Sequence, residues 1–286
     1  MSGETVEAWL GRAAGVLAAA GIEQPRMEAR LLLAAAAGWP TEAMIGRRGE
    51  ELGGEAAGRA DAMLERRRRR EPASHIFGRR EFWGLEFVVT ADVLDPRADS
   101  ECLVEAALQR IGNRAAPLHV LDLGTGTGCL LLAILSELQN ARGLGVDRSP
   151  SAVRVAEMNA DRLGLSGRAG FTTGDWGAGL SGGFDLILTN PPYVPSGDIA
   201  GLQPEVALWE PRLALDGGPD GLQAYRRLGP EIARLLAPGG GAAIEIGSTQ
   251  AAEVAAVLEP SGLRILECVR DLGGCERCLL VSGGRS

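Results

Sequence analysis

Hydrophobic and polar positions divide this chain into two parts with different periods. From about residue 4 to residue 70, apolar residues recur at the three- and four-residue spacing of helices that bury one face. This pattern is broken at Gly21, Pro25, Gly38 and Pro40. We therefore predict a small all-helical domain over residues 1–75. Residues 76–92 change to strand-like apolar runs around Gly84, which predicts a β-hairpin that links the domains.

Strand-like and helix-like runs alternate over residues 93–286. Strands are predicted at 119–123, 144–146, 169–172, 184–189, 242–246, 263–269 and 278–281. Helices are predicted near 129–139, 150–163, 221–236 and 249–258, and an earlier helix through Leu103 and Leu108 has Ser100 as its predicted cap. The alternation predicts an α/β fold with a doubly wound, seven-stranded, mostly parallel sheet. The last gap is too short for a crossover helix, so the last two strands are expected to pair antiparallel.

Length and charge restrict the possible functions. A chain of 286 residues is long enough for one large or two modest domains. No apolar run approaches the roughly 18 residues of a membrane span. Met1–Glu4 lacks the features of a signal peptide, so we expect a cytoplasmic protein with no membrane partner. Residues 1–90 have a net charge of 0, whereas residues 91–286 carry −8, which argues against direct contact with DNA.

Five consecutive arginines, Arg66–Arg70, end the last predicted helix of the first part. Such a run invites a nucleic-acid interpretation. Arginines spread around a helix share no single face, however, and the neighbouring glutamates dilute their charge. We expect a solvated helix end, with a weak RNA contact as the alternative.

Five cysteines are scattered along the chain, and only Cys275 and Cys278 have the spacing of metal ligands. A structural zinc site needs four ligands, and the two histidines lie far away in sequence. We expect reduced cysteines and no metal.

A glycine-rich loop follows the first predicted strand of the second part. Residues 120–123 lead into Gly124, Thr125, Gly126, Thr127 and Gly128, and then into an apolar helix that begins at Cys129. Glycines let backbone N–H groups approach a ligand, and a helix N-terminus favours negative charge. Because a dinucleotide fingerprint has Gly or Ala where Cys129 stands, a nucleoside with a small charged tail is favoured over a dinucleotide. S-adenosylmethionine fits this description.

The next two strands end in residues suited to the same ligand. Asp147 follows the second strand, where a carboxylate accepts both ribose hydroxyls. Asp175 and Trp176 follow the third strand, where they are expected to contact the adenine amino group and ring. The alternative for these two residues is an ordinary turn with a tryptophan in the core.

The tetrapeptide Asn190-Pro191-Pro192-Tyr193 directly follows the fourth strand. A planar NH2 group is a poor nucleophile, and it reacts only when both of its N–H bonds are held while the nitrogen faces an electrophile. The Asn190 side-chain oxygen and the Pro191 carbonyl supply two acceptors, and Tyr193 supplies an aromatic face. Methyl transfer to such a nitrogen needs positioning but no dedicated base. The alternative is a plain Asn-Pro turn.

These residues resemble the protein-glutamine N5-methyltransferases of peptide release factors, the HemK/PrmC type. The shared motifs are Glu71-Pro72 with His75, 80–83, Pro96-Arg97 through Glu101, 122–128, Asn190 to Tyr193, 210–215 and 270–272. The resemblance implies a Rossmann-like, S-adenosylmethionine-dependent methyltransferase domain after a helical domain that docks class-1 release factors. It also implies that Asn190 to Tyr193 hold the glutamine amide of the Gly-Gly-Gln tip. The cofactor would lie against Gly124 to Gly128, Asp147, Trp176 and Asn190.

Two positions depart from the usual family pattern. Asp95 and Ala98 stand where an apolar residue and a proline are usual, which leaves the local geometry near Arg97 open. The run 99–101, Asp-Ser-Glu, favours release factors over the ribosomal protein methylated by related enzymes. An N6-adenine nucleic-acid methyltransferase is the other enzymatic alternative. A cofactor-binding regulator without catalysis is the alternative from another class.

Overall fold

The computed structural model describes residues 4–44 and 46–284, which form two compact units. The first unit runs to Gly78 and also contains Pro204–Trp209, and the second comprises Arg79–Gln203 and the chain from Glu210 onwards. Residues 1–3, on which the signal-peptide expectation partly rests, lie outside this description. The division of the chain at residues 75 and 92 stays a prediction.

The first unit consists of helices. They are α1 (Val6–Ala19), α2 (Pro25–Ala37), α3 (Gly54–Arg68), α4 (Ala73–Phe77) and, in chain order, α8 (Pro204–Trp209), with a 3-10 turn at Thr41–Met44. The side chain of Thr5 accepts a hydrogen bond from the first turn of α1, and Gly38 ends α2 with a φ of 69°. Trp9, Leu17 and Leu33 form part of a fully buried core. The predicted breaks between helices are confirmed, whereas α8 has no counterpart in the prediction.

The arginine run is only partly the solvated helix end that the sequence predicted, because Arg67 and Arg70 are held by carboxylates of other segments while the other three arginines are exposed. Arg67 is 6% exposed, and it donates to Glu28 and to Glu205 at 2.5 and 2.8 Å. Arg70 donates to Glu205 and to the carbonyl of Gly21. The other three arginines pair with glutamates of their own segment, Arg66 with Glu71 and both Arg68 and Arg69 with Glu65. Burial of Arg67 contradicts the prediction, because the helix periodicity could not show that α2 and α8 bring carboxylates to this helix end.

The second unit contains a hairpin and a seven-stranded sheet. The hairpin is β1 (Arg79–Phe82) with β2 (Leu85–Val88), and α5 is Glu101–Arg110. The sheet strands are β3 (His119–Leu123), β4 (Arg142–Asp147), β5 (Ala169–Thr173), β6 (Phe184–Thr189), β7 (Leu236–Glu245), β8 (Leu263–Arg270) and β9 (Glu276–Gly283). The large helices are α6 (Cys129–Glu137), α7 (Pro150–Arg162), α9 (Gln223–Leu235) and α10 (Ala251–Leu258). The α/β fold with seven strands is confirmed.

The sheet has the order β5-β4-β3-β6-β7-β9-β8. All neighbouring pairs are parallel except the two made by β9, as expected from the short gap before it. Chain order reverses at β3, because β4 lies on one side of it and β6 on the other. The loops after these strands therefore meet at one edge, where open α/β sheets bind ligands. Strand β7 starts at Leu236, six residues before the predicted start at 242.

The described residues include neither a membrane-spanning helix nor a cluster of metal ligands. Among the helices that the structure describes, none has the length and apolar character needed to cross a membrane. Within residues 4–44 and 46–284, no group of three or more His, Cys, Asp or Glu side chains is arranged to hold a metal ion. Cys275 is an exposed free thiol and Cys278 a buried one.

Candidate active site

The glycine loop is tied to the end of the neighbouring strand. The backbone N–H groups of Gly124 and Thr125 donate to the carbonyl of Val146 at 2.8 and 3.0 Å. Gly124 has a φ of +77°, and a Cβ there would lie 3.2 Å from Cζ3 of the Trp176 ring. A glycine is therefore required for both conformation and space. Trp176 consequently packs directly on the loop backbone.

Asp147 is held in one orientation by two backbone N–H groups. Its Oδ2 accepts from Gly126 and its Oδ1 from Ser149, both at 2.9 Å. Each carboxylate oxygen keeps a further lone pair for a ligand hydroxyl. The loop and the carboxylate thus form one unit that can receive a ribose.

A buried carboxylate outside the predicted set supports this loop. Asp122 is 1% exposed, and the hydroxyl of Thr125 donates to its Oδ2 at 2.6 Å. Burial raises the pKa of Asp122 to about 7, against the Thr125 hydrogen bond and together with the nearby charge of Asp147. The contact fixes the turn between β3 and α6.

A cavity of about 290 Å³ opens beside the loop. Most of the predicted site residues line it, namely Gly124, Thr125, Gly126, Thr127, Asp147, Asp175, Trp176, Asn190 and Pro192. Gly128, Pro191 and Tyr193 do not. A Cβ on Gly128 would meet Ala156, Leu132 and Phe171 at 3.2–3.3 Å, so its role is close packing. The cavity volume is close to the lower end of the roughly 300–1,000 Å³ of ligand pockets.

One carboxylate oxygen of Asp175 forms an ion pair. Its Oδ2 accepts from Arg227 of α9 at 2.6 Å, and this hydrogen bond lowers the pKa of Asp175. Both side chains are about half exposed, at 48% for Arg227 and 49% for Asp175. Arg227 also lines the cavity, and nothing in the local sequence singled it out. The Oδ1 atom of Asp175 remains for an adenine amino group.

Gln250 and two glycines, Gly217 and Gly221, pack against the residues that follow Asn190. The carbonyl of Tyr193 accepts from Nε2 of Gln250 at 3.2 Å, and the carbonyl of Val194 accepts from the N–H of Gly217 at 2.8 Å. A Cβ on Gly221 would lie 2.4 Å from the Tyr193 carbonyl oxygen. The backbone at position 221 can lie this close to Tyr193 only because Gly221 has no side chain. These residues were missed, although the glycine-rich run at 217–221 is visible in the sequence.

Ser100 is not the helix cap that the sequence suggested. It precedes α5, but its backbone is helical and its side chain makes no capping hydrogen bond. Its Oγ instead accepts from Nδ2 of Asn190 at 3.3 Å. A serine before a helix is typical of a cap, and the sequence could not show otherwise because the partner of Ser100 lies 90 residues away.

Glu245 is buried beside the same amide. It ends β7, and the pairing of Thr189 with Ile244 sets Asn190 and Glu245 at the adjacent ends of β6 and β7. Glu245 is 2% exposed. Burial raises its pKa to about 7, against hydrogen bonds from Ser100 and Asn190 and the charge of Arg277. A charged residue at the end of the apolar run 242–246 was the signal that could have identified it.

The geometry near Arg97 is settled by an ion pair. Nη2 of Arg97 donates to both oxygens of Glu210 at 2.7 and 2.8 Å. Burial raises the pKa of Glu210 to about 7, which Arg97 lowers and Asp95 raises. Asp95 is buried and lines the cavity, whereas Ala98 is exposed. The two departures from the family pattern therefore leave the Arg97–Glu210 pair intact.

Both parts of the chain are similar to known proteins. A family model described as "PrmC N-terminal domain" matches residues 8–78, and one described as "Methyltransferase domain" matches residues 116–264. Release factor glutamine methyltransferase of Rhodospirillum rubrum is 49% identical over 271 residues, which are 95% of this chain and 83% of that protein. The protein of the same name from Caulobacter vibrioides is 46% identical over 276 residues, covering 96% of this chain and 95% of that one.

A solved structure supports the fold alone. The ribosomal protein L11 methylase of Lactobacillus delbrueckii subsp. bulgaricus superposes with a TM-score of 0.50 at 22% identity, covering 67% of this chain and 83% of that chain. The two relatives are far above the similarity needed to assign a family, and each aligns over most of its own length. The chain therefore belongs to the release factor glutamine methyltransferases, a family of S-adenosylmethionine-dependent protein-glutamine methyltransferases.

Proposed function

We propose that this protein methylates the side-chain amide nitrogen, N5, of the glutamine in the Gly-Gly-Gln motif of class-1 peptide chain release factors. The observation that carries the proposal is the Asn190 amide at the cavity wall, whose donor end faces Ser100. Its acceptor end is thereby left for a planar NH2 group. The names of the two relatives support a release factor as the substrate.

The cavity residues fit S-adenosylmethionine by their chemistry. The glycines of the loop 124–127 let its backbone come close to a cofactor in the cavity. Asp147 has free lone pairs for hydroxyl groups, and Trp176 supplies an aromatic surface. Asp175 and Asn190 complete the proposed cofactor contacts. The cofactor supplies a methyl group that its positively charged sulfur already activates for transfer.

The protein residues then act mainly by orientation. We propose that Oδ1 of Asn190 and the carbonyl of Pro191 accept the two N–H groups of the substrate amide. This holds the nitrogen with one face towards the methyl donor, and fixed geometry of this kind supplies much of the rate enhancement. Tyr193 does not line the cavity, but its neighbour Pro192 does, and we propose that Tyr193 provides an apolar surface beside the amide plane. The methylated nitrogen loses its extra proton to water, so no protein base takes part.

The remaining assignments follow from the same proposal. We propose that the all-helical unit docks the release factor, and that the protein acts in the cytoplasm without direct contact with DNA. A weak RNA contact through Arg66–Arg70 stays a prediction, limited by the carboxylates that already pair with these arginines.

Methyl transfer to defined substrates tests the proposal. The purified protein is incubated with radiolabelled S-adenosylmethionine and either a release factor, its Gly-Gly-Ala variant, ribosomal proteins or DNA. We expect label in the release factor and none in the variant. Label on DNA, or label that survives in the variant, would refute the proposal.

Replacing Asn190 tests its assigned role. Asn190→Ala removes an acceptor that orients the substrate, so we expect kcat to fall by about 100-fold or more while the Kd for S-adenosylmethionine stays within about tenfold. Asn140→Ala is the matched control, because this exposed asparagine donates to the carbonyl of Ala115 and does not line the cavity. Turnover by Asn190→Ala equal to that of the control would exclude the proposed role.

A further inference from the structure

A buried carboxylate stands behind the proposed amide holder without touching the cavity. Asn190 lines the cavity and Glu245 does not. They lie at the ends of neighbouring parallel strands, one residue beyond the pair Thr189 and Ile244. Glu245 is 2% exposed, and its Oε2 has no hydrogen-bond partner among the described residues. A buried carboxylate is costly, so its presence here calls for a role.

Asn190 and Ser100 present hydrogen-bond donors on the side where Glu245 lies. Nδ2 of Asn190 donates to Oγ of Ser100 at 3.3 Å. The hydroxyl of Ser100 and the amide of Asn190 both favour the ionised form of Glu245 and lower its pKa, as donors to it do. An ionised carboxylate only accepts hydrogen bonds, whereas a side-chain amide has one donor end and one acceptor end. The donor end of Asn190 is therefore held towards Ser100, beside the end of β7 at which Glu245 lies.

The other charges near Glu245 are already paired with one another. Arg277 of β9 lies 3.0 Å from Asp271 and 3.4 Å from Asp99, so its charge is shared among carboxylates. The remaining titratable groups near Glu245 are two tyrosines and three cysteines, and burial raises the pKa of each: Tyr193, Tyr225, Cys102, Cys129 and Cys278. These five groups are neutral near pH 7. Burial also raises the pKa of Asp122 and of Glu210 to about 7, so the contribution of Glu245 is read from the difference between wild type and a Glu245 variant.

We propose that Glu245 is a positioning residue which, through Ser100, holds the Asn190 amide with its oxygen towards the substrate. This inference rests on the proposed function, since it assigns a cause to the orientation that the function needs. A proton on Glu245 turns the carboxyl into a donor to the Ser100 oxygen, and the Ser100 hydroxyl can then donate to the Asn190 oxygen. The Asn190 NH2 would point at the substrate NH2, and two donors cannot form a hydrogen bond.

A pH profile of Glu245→Gln tests this inference. Wild type is expected to lose kcat on the acid side with a midpoint near pH 7, the region in which Glu245 takes up a proton. A glutamine presents both a donor and an acceptor, so it selects neither orientation of Asn190. We expect a kcat at pH 8 about tenfold below wild type, a shallower acid limb than that of wild type, and a Kd for S-adenosylmethionine within about threefold.

Three further variants complete the test with the full-length protein and release factor as substrate. Glu267→Gln is the matched control, because Glu267 is exposed on β8, and it should behave as wild type. Ser100→Ala should lower kcat at least about fivefold without changing the Kd for S-adenosylmethionine, and Ser100→Thr, which keeps the hydroxyl, should restore most of it. These serine variants keep the inference testable where Glu245→Gln does not fold.

The outcomes separate the two proposals. Wild-type protein that labels no release-factor glutamine overturns the proposed function and this inference with it. An active wild type, together with a Glu245→Gln variant that keeps kcat at pH 8 within twofold of wild type, overturns the positioning role alone. So does a Ser100→Ala variant with wild-type kcat.

Discussion

Arg67 offers a direct measurement of how much the arginine run stabilises the first unit. In Arg67→Ala, Glu28 loses hydrogen bonds of 2.5 and 3.1 Å, Glu205 loses one of 2.8 Å, and the carbonyl of Glu71 loses one of 3.3 Å. The side chains of Glu28 and Glu205 are only 19% and 15% exposed, so water replaces these bonds incompletely. The change therefore leaves two largely buried carboxylates short of a cation.

Removing one partner of a buried ion pair costs about 3–5 kcal/mol. Because Glu205 keeps Arg70 as a partner, we expect the lower end, about 3 kcal/mol, in the free energy of unfolding. Arg69→Ala is the matched control. Its side chain is 66% exposed and pairs with Glu65 at the surface, where an ion pair contributes about 0–1 kcal/mol.

Urea unfolding of the full-length variants, followed by far-UV circular dichroism, measures the difference. With a slope of about 2 kcal/mol per molar urea, Arg67→Ala should lower the midpoint of the helical transition by about 1.5 M. Arg69→Ala should move it by less than about 0.5 M. Equal shifts for the two variants would show that the arginines act as a common solvated surface, and the burial argument would fail.

Two other predictions concern the second unit. In Gly145→Ala, the new Cβ would lie 2.5 Å from Phe171 and 2.8 Å from Oγ1 of Thr125. We expect it to cost about 1–3 kcal/mol in urea unfolding and to weaken cofactor binding by calorimetry, unlike Gly112→Ala, which has open space. Burial raises the folded-state pKa of Glu245 to about 7, so wild type should lose on the order of 3 kcal/mol of stability as the pH rises from 5 to 8 and the buried carboxyl must ionise. Glu245→Gln cannot ionise there, so its stability relative to wild type should increase by that amount over the same range. Parallel unfolding curves at the two pH values check this, and a constant difference between the proteins contradicts it.

Local sequence patterns were sufficient to predict the strands of the sheet and the residues that follow their ends. Apolar runs set the strands within a few residues, except at β7, where the run Ala237–Gly241 is poor in large apolar side chains and hid the first half of the strand. The loop at 124–128 and the corner at 190–193 were found because each follows its strand directly. Their approach to one cavity also follows from the parallel order, since strands of one direction end at one edge.

The sequence by itself determined where the glycine loop, the strand ends and the Asn-Pro-Pro-Tyr corner lie, because glycines, prolines and strand ends have local signatures, and from them it predicted the residues that would recognise a methyl donor and an NH2 group. Only the tertiary structure decided what holds those residues in place. Ser100 lies 90 positions from Asn190, Arg67 lies 138 positions from Glu205, and Glu245 meets Asn190 through strand register. A single sequence has no periodic signal for a contact between distant segments. The orientation of the Asn190 amide, which in our proposal decides whether an acceptor faces the substrate, therefore depends on contacts that appear only when β6, β7 and the start of α5 pack together.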